Sequence, residues 1–420
     1  MPETTPAPAL PTEAAAVVIG AGAFGLSVGL HLAERGVLAV VLDRFAPASQ
    51  TSPRAAGLFR LVQASETKTR LARLSAERVE RFEAQTGVPL PHVRSGSLLV
   101  ARAPAHAAMI RAEAAASRAW GVEIEEVSPA DAHRRCPWLE PDGLLAAFFT
   151  PHDRYVEEPA TMLAAYQAAG ERAGMIVRGH TPATAIRVES GRVAGVETPF
   201  GPIATETVVD AAGAWATQVG RLAGTAVPIA PMRHQLTISV PVPGVAPDQP
   251  IVRIVDAAVY ARPARGGLML GGFEADPLPL DPADQHPTWT MADAPLDLAP
   301  LRRMGAAVAD QVPAAVAAPI AEHRGGLFTM SPDGRLLAGP VPDLPGLWLA
   351  TGCNGSGFSL SPGVGLALAA WIADGAPPFA MDAVAPGRFA GTPFSDSELV
   401  TAGSYQYSHY YEPSEIPSPA

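Results

Sequence analysis

The chain has 420 residues, 48% of them hydrophobic, and a formal net charge of −11. That length exceeds one ordinary core and calls for two domains, or one large α/β domain carrying an inserted layer. The acidic balance repels phosphate backbones and argues against nucleic-acid partners, and two cysteines, Cys136 and Cys353, make no disulfide framework and fit a reducing cytoplasm.

Residues 1–12 are polar and proline-rich, the composition of a disordered tail. Residues 14–42 are apolar enough to suggest a membrane span, but Glu34, Arg35 and several glycines interrupt them. They read instead as a buried strand (VVIG), a helix with Phe24, Val28 and Leu32 on one face and Gly36 as its stop, and a second buried strand (VLAVVLDR). Helices are expected over 62–86, 106–119 and 156–174, and short strands over 176–215. Residues 229–273 are strand-like, 275–300 loop, and 300–315 helical. Near the end, "LWLATG" is a strand, "GCNGSGFSLSPGVG" (352–365) a glycine-rich loop, and "LALAAWIADG" a helix. Residues 386–420, polar and aromatic, suggest an extended arm that could serve self-association. Lys68 is the only lysine of the chain.

Gly20, Gly22 and Gly25 form G-x-G-x-x-G between the first strand and its helix. The first permits the turn, the second lets a pyrophosphate approach, and the third lets helix and strand pack. The helix N-terminus favours the phosphates, and Asp43, ending the second strand, stands where an acid accepts ribose hydroxyls. The late glycine turn is the second cofactor signal. Backbone N–H groups at Gly352, Gly355 and Gly357, followed by a helix N-terminus, suit a flat ligand that carries negative charge when reduced, as a flavin does.

The segments "VVIGAGAFGLSVGLHLAERG", "TSPRAAGLFR", "VVDAAGAW", "VYARPARGGLMLGGFE", "TMSPDGRLLAGP" and "TGCNGSGFSLSPGVGLALAAWI" occur in an order that resembles the D-amino-acid-oxidase-like flavoproteins, across residues 15–385. The resemblance implies an α/β (overall α+β) chain. A Rossmann-like FAD-binding domain would be assembled from 13–90, 151–228 and 326–385. A substrate domain on a largely antiparallel sheet would come from 91–150 and 229–325. Expected cofactor contacts are Gly20, Gly22, Ala23, Phe24, Gly25, Asp43, Arg44, Ser52, Arg54, Ala55, Ala56, Gly57, Ala183, Ala212, Gly213, Trp215, Gly352, Gly355, Ser356, Gly357, Phe358 and Ser359. Some relatives attach the flavin through a histidine near 52–60, which here holds none, and sarcosine oxidases use a cysteine where this chain has Gly326. FAD is therefore expected to bind non-covalently, with Cys353 the alternative attachment point.

By the same resemblance Tyr260 and Arg60 orient a substrate; Arg262, two residues on and on the same strand face as Tyr260, is expected to join them, and His234 to reach the pocket from a neighbouring strand. The lysine that activates dioxygen in sarcosine oxidases is replaced by Met269, a pocket histidine by Phe273, and a carboxylate-binding lysine by Ser359. These departures imply slow use of dioxygen or another acceptor, and a weaker carboxylate clamp. The expected activity is oxidation of a C–N bond in an amine or amino-acid derivative by hydride transfer to flavin N5. The alternatives are dehydrogenation of a hydroxy acid or alcohol with His234 as base, or a non-catalytic flavin-binding subunit. No metal or membrane partner is expected.

Overall fold

The computed structural model describes residues 10–412. The disordered tail expected over 1–12 lies largely outside them, as do the last eight residues of the expected arm; Thr12 accepts a hydrogen bond from Ala204 N at 2.8 Å.

Two sheets organise the molecule. The first has six strands in the order Leu337–Pro340, Leu347–Thr351, Val208–Asp210, Ala16–Ile19, Ala39–Leu42, Ile176–Arg178. All neighbours are parallel except the edge strand Leu337–Pro340. Ala16–Ile19 and Ala39–Leu42 are buried throughout, as parallel strands covered on both faces must be. One face carries the helices Ala23–Ala33, Glu66–Thr86, Pro159–Arg172 and Gly357–Asp374. The other is covered by a three-stranded antiparallel sheet built from Ala185–Glu189, Arg192–Glu197 and Ile203–Ala204.

The second sheet has eight strands: Ile320–Met330, Ala230–Ser239, Gly267–Gly272, Val259–Ala264, Ile251–Ile254, Ser97–Ala101, Ala146–Thr150, Glu125–Val127. It is antiparallel except where Ile251–Ile254 runs parallel to Ser97–Ala101. Its longest strand, Ile320–Met330, crosses the expected domain boundary at 325/326 without a break.

Three elements differ from the sequence expectation. The last long helix starts at Gly357, not after the glycine stretch, and holds Pro362 inside it. The proline lacks the N–H that Phe358 O would receive, and Ser361 Oγ donates to that oxygen instead at 2.9 Å. Gly363 N donates to Ser75 Oγ at 2.9 Å. The region 300–315 divides into Leu298–Ala307 and a short turn of helix at Ala314–Ala317, separated by Pro313. The expected extended arm is a helix, Asp396–Ser408, opened by a capping box in which Ser395 and Glu398 bond reciprocally. It packs on the strands Ala230–Ser239 and Ile320–Met330, with Tyr407 fully buried.

Candidate functional site

A cavity of about 590 Å³ runs between the two sheets, from the first βα turn to the C-terminal residues. At one end stands the glycine loop. Gly20 has φ +108°, and a Cβ there would lie 2.5 Å from Ala211 O, so only glycine fits. A Cβ on Gly25 would collide with the Gly20 carbonyl oxygen, which explains how closely helix and strand approach. Ser52 Oγ accepts from Ala23 N at 3.0 Å. Asp43 accepts from Ala21 N at 2.8 Å and Phe45 N at 2.7 Å. These bonds fix the carboxylate at the strand end, and burial pushes its pKa up against them.

The late glycine turn forms the opposite wall. Asn354 is its anchor: Oδ1 accepts from Ser331 N at 3.0 Å and Nδ2 donates to Gly352 O at 2.6 Å. Cys353 N donates to Thr329 Oγ1 at 2.8 Å. The turn is thus pinned to the strand Ile320–Met330, leaving Gly355, Ser356 and Gly357 on the cavity at the start of an 18-residue helix. Such a terminus stabilises negative charge placed before it.

The expected cofactor contacts all line this cavity except Gly25 and Gly352, which act from behind it. Gly326 lies on the wall, and a Cβ there would meet Thr51 Cγ2 at 2.8 Å, so the position is closed to a cysteine in this packing. Arg54 turns its guanidinium onto the carbonyls of Ser49 and Gln50, holding the loop.

Of the expected substrate residues, Tyr260, Arg60 and His234 line the cavity. Arg262 does not. It shares the strand Val259–Ala264 with Tyr260, but its fully buried guanidinium donates to Ala56 O at 2.9 Å, Pro263 O at 2.6 Å and Glu157 O at 3.1 Å, and stacks over Tyr155. The strand carries it past the pocket, where it braces the wall segment at Ala56. Arg60 pairs with Glu113 at 3.1 Å. His234 is bonded at both nitrogens, Nδ1 to the Tyr407 hydroxyl at 2.8 Å and Nε2 to the Tyr260 hydroxyl at 3.0 Å. Burial lowers its pKa to about 3, so the ring is neutral.

The sequence reading missed four groups. Arg253 lies directly opposite Tyr260 in the hairpin register and lines the cavity, 3.7 Å from the buried Asp153. It stands with the partly exposed Arg60 near Tyr411, so two guanidiniums face this part of the cavity. Tyr410 and Tyr411, just after the C-terminal helix, close the cavity beside Phe273 and Phe328. Lys68, on a helix far from these strands in sequence, places Nζ 6.0 Å from the Tyr410 ring centroid. The signal for Arg253 was an arginine flanked by apolar strand residues in IVRIV; nothing local marked Tyr410 and Tyr411.

Residues 15–371 match the family model described as FAD dependent oxidoreductase. The chain belongs to that family. Its glycine loop, acid and late turn fit the FAD that the family implies. The chain is 32% identical over 379 residues to human mitochondrial sarcosine dehydrogenase, covering 89% of this chain and 41% of that protein. It is 28% identical over 386 residues to 4-methylaminobutanoate oxidase (formaldehyde-forming) of Paenarthrobacter nicotinovorans, covering 91% and 46%. It therefore spans less than half the length of these relatives. The structure of an L-proline dehydrogenase from P. horikoshii shares the fold at a TM-score of 0.81 and 24% identity, covering 90% of this chain and 98% of that one. Among the described residues no helix is long and apolar enough to cross a membrane.

Proposed function

We propose that this FAD-dependent oxidoreductase oxidises the C–N bond of a carboxylate-bearing amine to an imine, which water then hydrolyses. The observation that carries this reading is the pair of cavity-lining arginines, the partly exposed Arg60 and the buried Arg253, beside an aromatic wall of Tyr260, Phe273, Phe328 and Tyr411. Guanidiniums grip carboxylates in fixed geometry, and aromatic faces suit a neighbouring amine and its alkyl groups. The relatives named for sarcosine and 4-methylaminobutanoate point to the same substrate class. FAD, when bound, supplies the acceptor for the hydride. The chain's residues bind the carboxylate, orient the carbon next to nitrogen and exclude water, which is the part of such a reaction that positioning accelerates.

FAD is held non-covalently in this reading, because Thr51 fills the space at Gly326 and no histidine lies in 52–60. The position of the dioxygen-activating lysine of sarcosine oxidases holds Met269, fully buried in an apolar cluster with Leu236, Ile238 and Ala264, so an acceptor other than dioxygen is favoured. Oxidation of a hydroxy acid by His234 is less well supported, since both ring nitrogens are engaged by tyrosine hydroxyls.

Anaerobic mixing of the FAD-loaded protein with secondary amines, amino acids and hydroxy acids tests the reading. Bleaching by carboxylate-bearing amines is expected. Bleaching by hydroxy acids alone would refute it, and no bleaching by any compound would favour a non-catalytic subunit. Acid precipitation should leave the pellet colourless.

A further inference from the structure

The hydroxyl groups on the cavity differ in what holds them. Tyr260 is tied to His234, and burial raises its pKa. Burial likewise pushes Tyr411 up to about 12, against the pull of Arg253 and Arg60. Tyr410 is placed otherwise. Its ring lies flat on Phe273 at 3.9 Å and 10°. Its hydroxyl is 3.1 Å from Ser356 Oγ, in the glycine turn just ahead of the helix Gly357–Asp374. The chain's one lysine reaches it from the helix Glu66–Thr86. Arg60 and Arg253, paired with Glu113 and Asp153, and the neighbouring Tyr411 are among the charged and titratable groups around it. Burial alone would raise the Tyr410 pKa, but Lys68, Arg60, the Ser356 hydroxyl and Arg253 outweigh it and hold the group below its ordinary value.

Given the amine reading above, on which this rests, we propose that Tyr410, acting in its ionised form, is the catalytic proton acceptor for the substrate ammonium, and that Lys68, whose Nζ lies 6.0 Å from its ring centroid, is its positioning residue. An ammonium nitrogen has no lone pair to assist departure of the neighbouring hydride. In the proposed step the N–H bond breaks and its electron pair stays on nitrogen, while the proton forms an O–H bond with the Tyr410 phenolate. The neutral amine then loses the hydride to FAD, and the phenol returns its proton to solvent. The other cavity groups are poor acceptors: His234 has no free nitrogen, and the Tyr260 and Tyr411 phenols are held neutral.

The test uses the full-length FAD-loaded protein and the variants Tyr410→Phe, Lys68→Met and Lys68→Arg. Tyr410→Phe preserves the stacking on Phe273. In an ultraviolet difference titration, the unmodified protein should show one tyrosinate ionisation ahead of the others. Tyr410→Phe should lose it, Lys68→Met should move it upward by about one pH unit or more, and Lys68→Arg should restore it. With a carboxylate-bearing secondary amine, the rate of flavin reduction divided by the substrate dissociation constant should fall on the acid side with the same pKa. Tyr410→Phe should lower that ratio about a hundredfold and abolish the acid limb. An early ionisation that survives in Tyr410→Phe, or an acid limb unchanged by it, overturns the assignment. If no amine reduces the flavin of the unmodified protein, the amine reading and the acceptor role fall together. If amines reduce it and the early ionisation is missing, Tyr410 alone is refuted.

Discussion

Two single side chains make separable predictions, one on the cavity and one in the core of the parallel sheet. Arg253 enters on a buried strand opposite Tyr260. A hydrogen bond to a charged group contributes roughly 1.5–3 kcal/mol, so Arg253→Met should weaken binding of a carboxylate-bearing amine by about ten- to a hundredfold. The methyl ester of the same amine should bind both proteins alike. Substrate titration of the flavin spectrum measures both. Asp210 concerns stability instead. It ends the strand Val208–Asp210, fully buried, with Oδ1 accepting from Ala212 N at 3.1 Å and Oδ2 without a hydrogen-bond partner. Burial pushes its pKa up to about 8. Between the ordinary carboxyl value and about 8 the unfolded chain has released a proton that the folded chain keeps. Stability therefore falls as pH rises through that window, by at most about 1.4 kcal/mol per pH unit. Asp210→Asn should raise the thermal midpoint at pH 7 to 8 and leave it unchanged near pH 4. A gain of equal size at both ends would contradict the assignment.

At the level of elements, the crossing of the helices Ala23–Ala33 and Gly357–Asp374 decides where both cofactor-binding turns sit. A Cβ on Gly365 would strike Ser27, and one on Gly363 would strike the Leu71 carbonyl. Overpacking of this kind costs roughly 1–3 kcal/mol. Gly365→Ala should lower the thermal midpoint and also weaken FAD binding, because each helix starts at a turn that faces the cofactor. Unchanged FAD affinity, read by flavin fluorescence, would show that the crossing is merely structural. This region also shows how far the sequence could be read. The first βα turn was legible because strand, glycines, helix and acid occur together over some thirty residues. The start of the late helix was not, because Pro362 and its glycines weaken helical propensity, and what restores the backbone bonds is Ser361 within the helix and Ser75 from another one. The helix Asp396–Ser408 lacks an apolar stripe, and the reading of 386–420 as an extended arm passed over the Ser395–Glu398 capping box that opens it. Arg262 looked like a substrate residue because strand alternation gives the face but not how far along the cavity a side chain falls.

For the molecule as a whole, the cavity draws on both sheets and on both ends of the chain, from Ile19 to Tyr411. A chain ending after Ser408 keeps the helix and its buried Tyr407 but loses Tyr410 and Tyr411. It should still bind FAD, since the glycine turns and Asp43 remain. Reduction of that flavin by amines should fall by about a hundredfold or more, the scale of a lost general base. Loss of FAD from the truncated protein would instead assign these tyrosines to the cofactor.

That one wall of the pocket comes from Tyr410 and Tyr411 also bears on biosynthesis. These residues leave the ribosome long after the nucleotide loop, so a growing chain can assemble that loop well before it can enclose a substrate. Enclosure of the pocket therefore waits for the docking of this segment, and a stop codon ahead of Tyr410 would yield a coloured protein that turns over poorly.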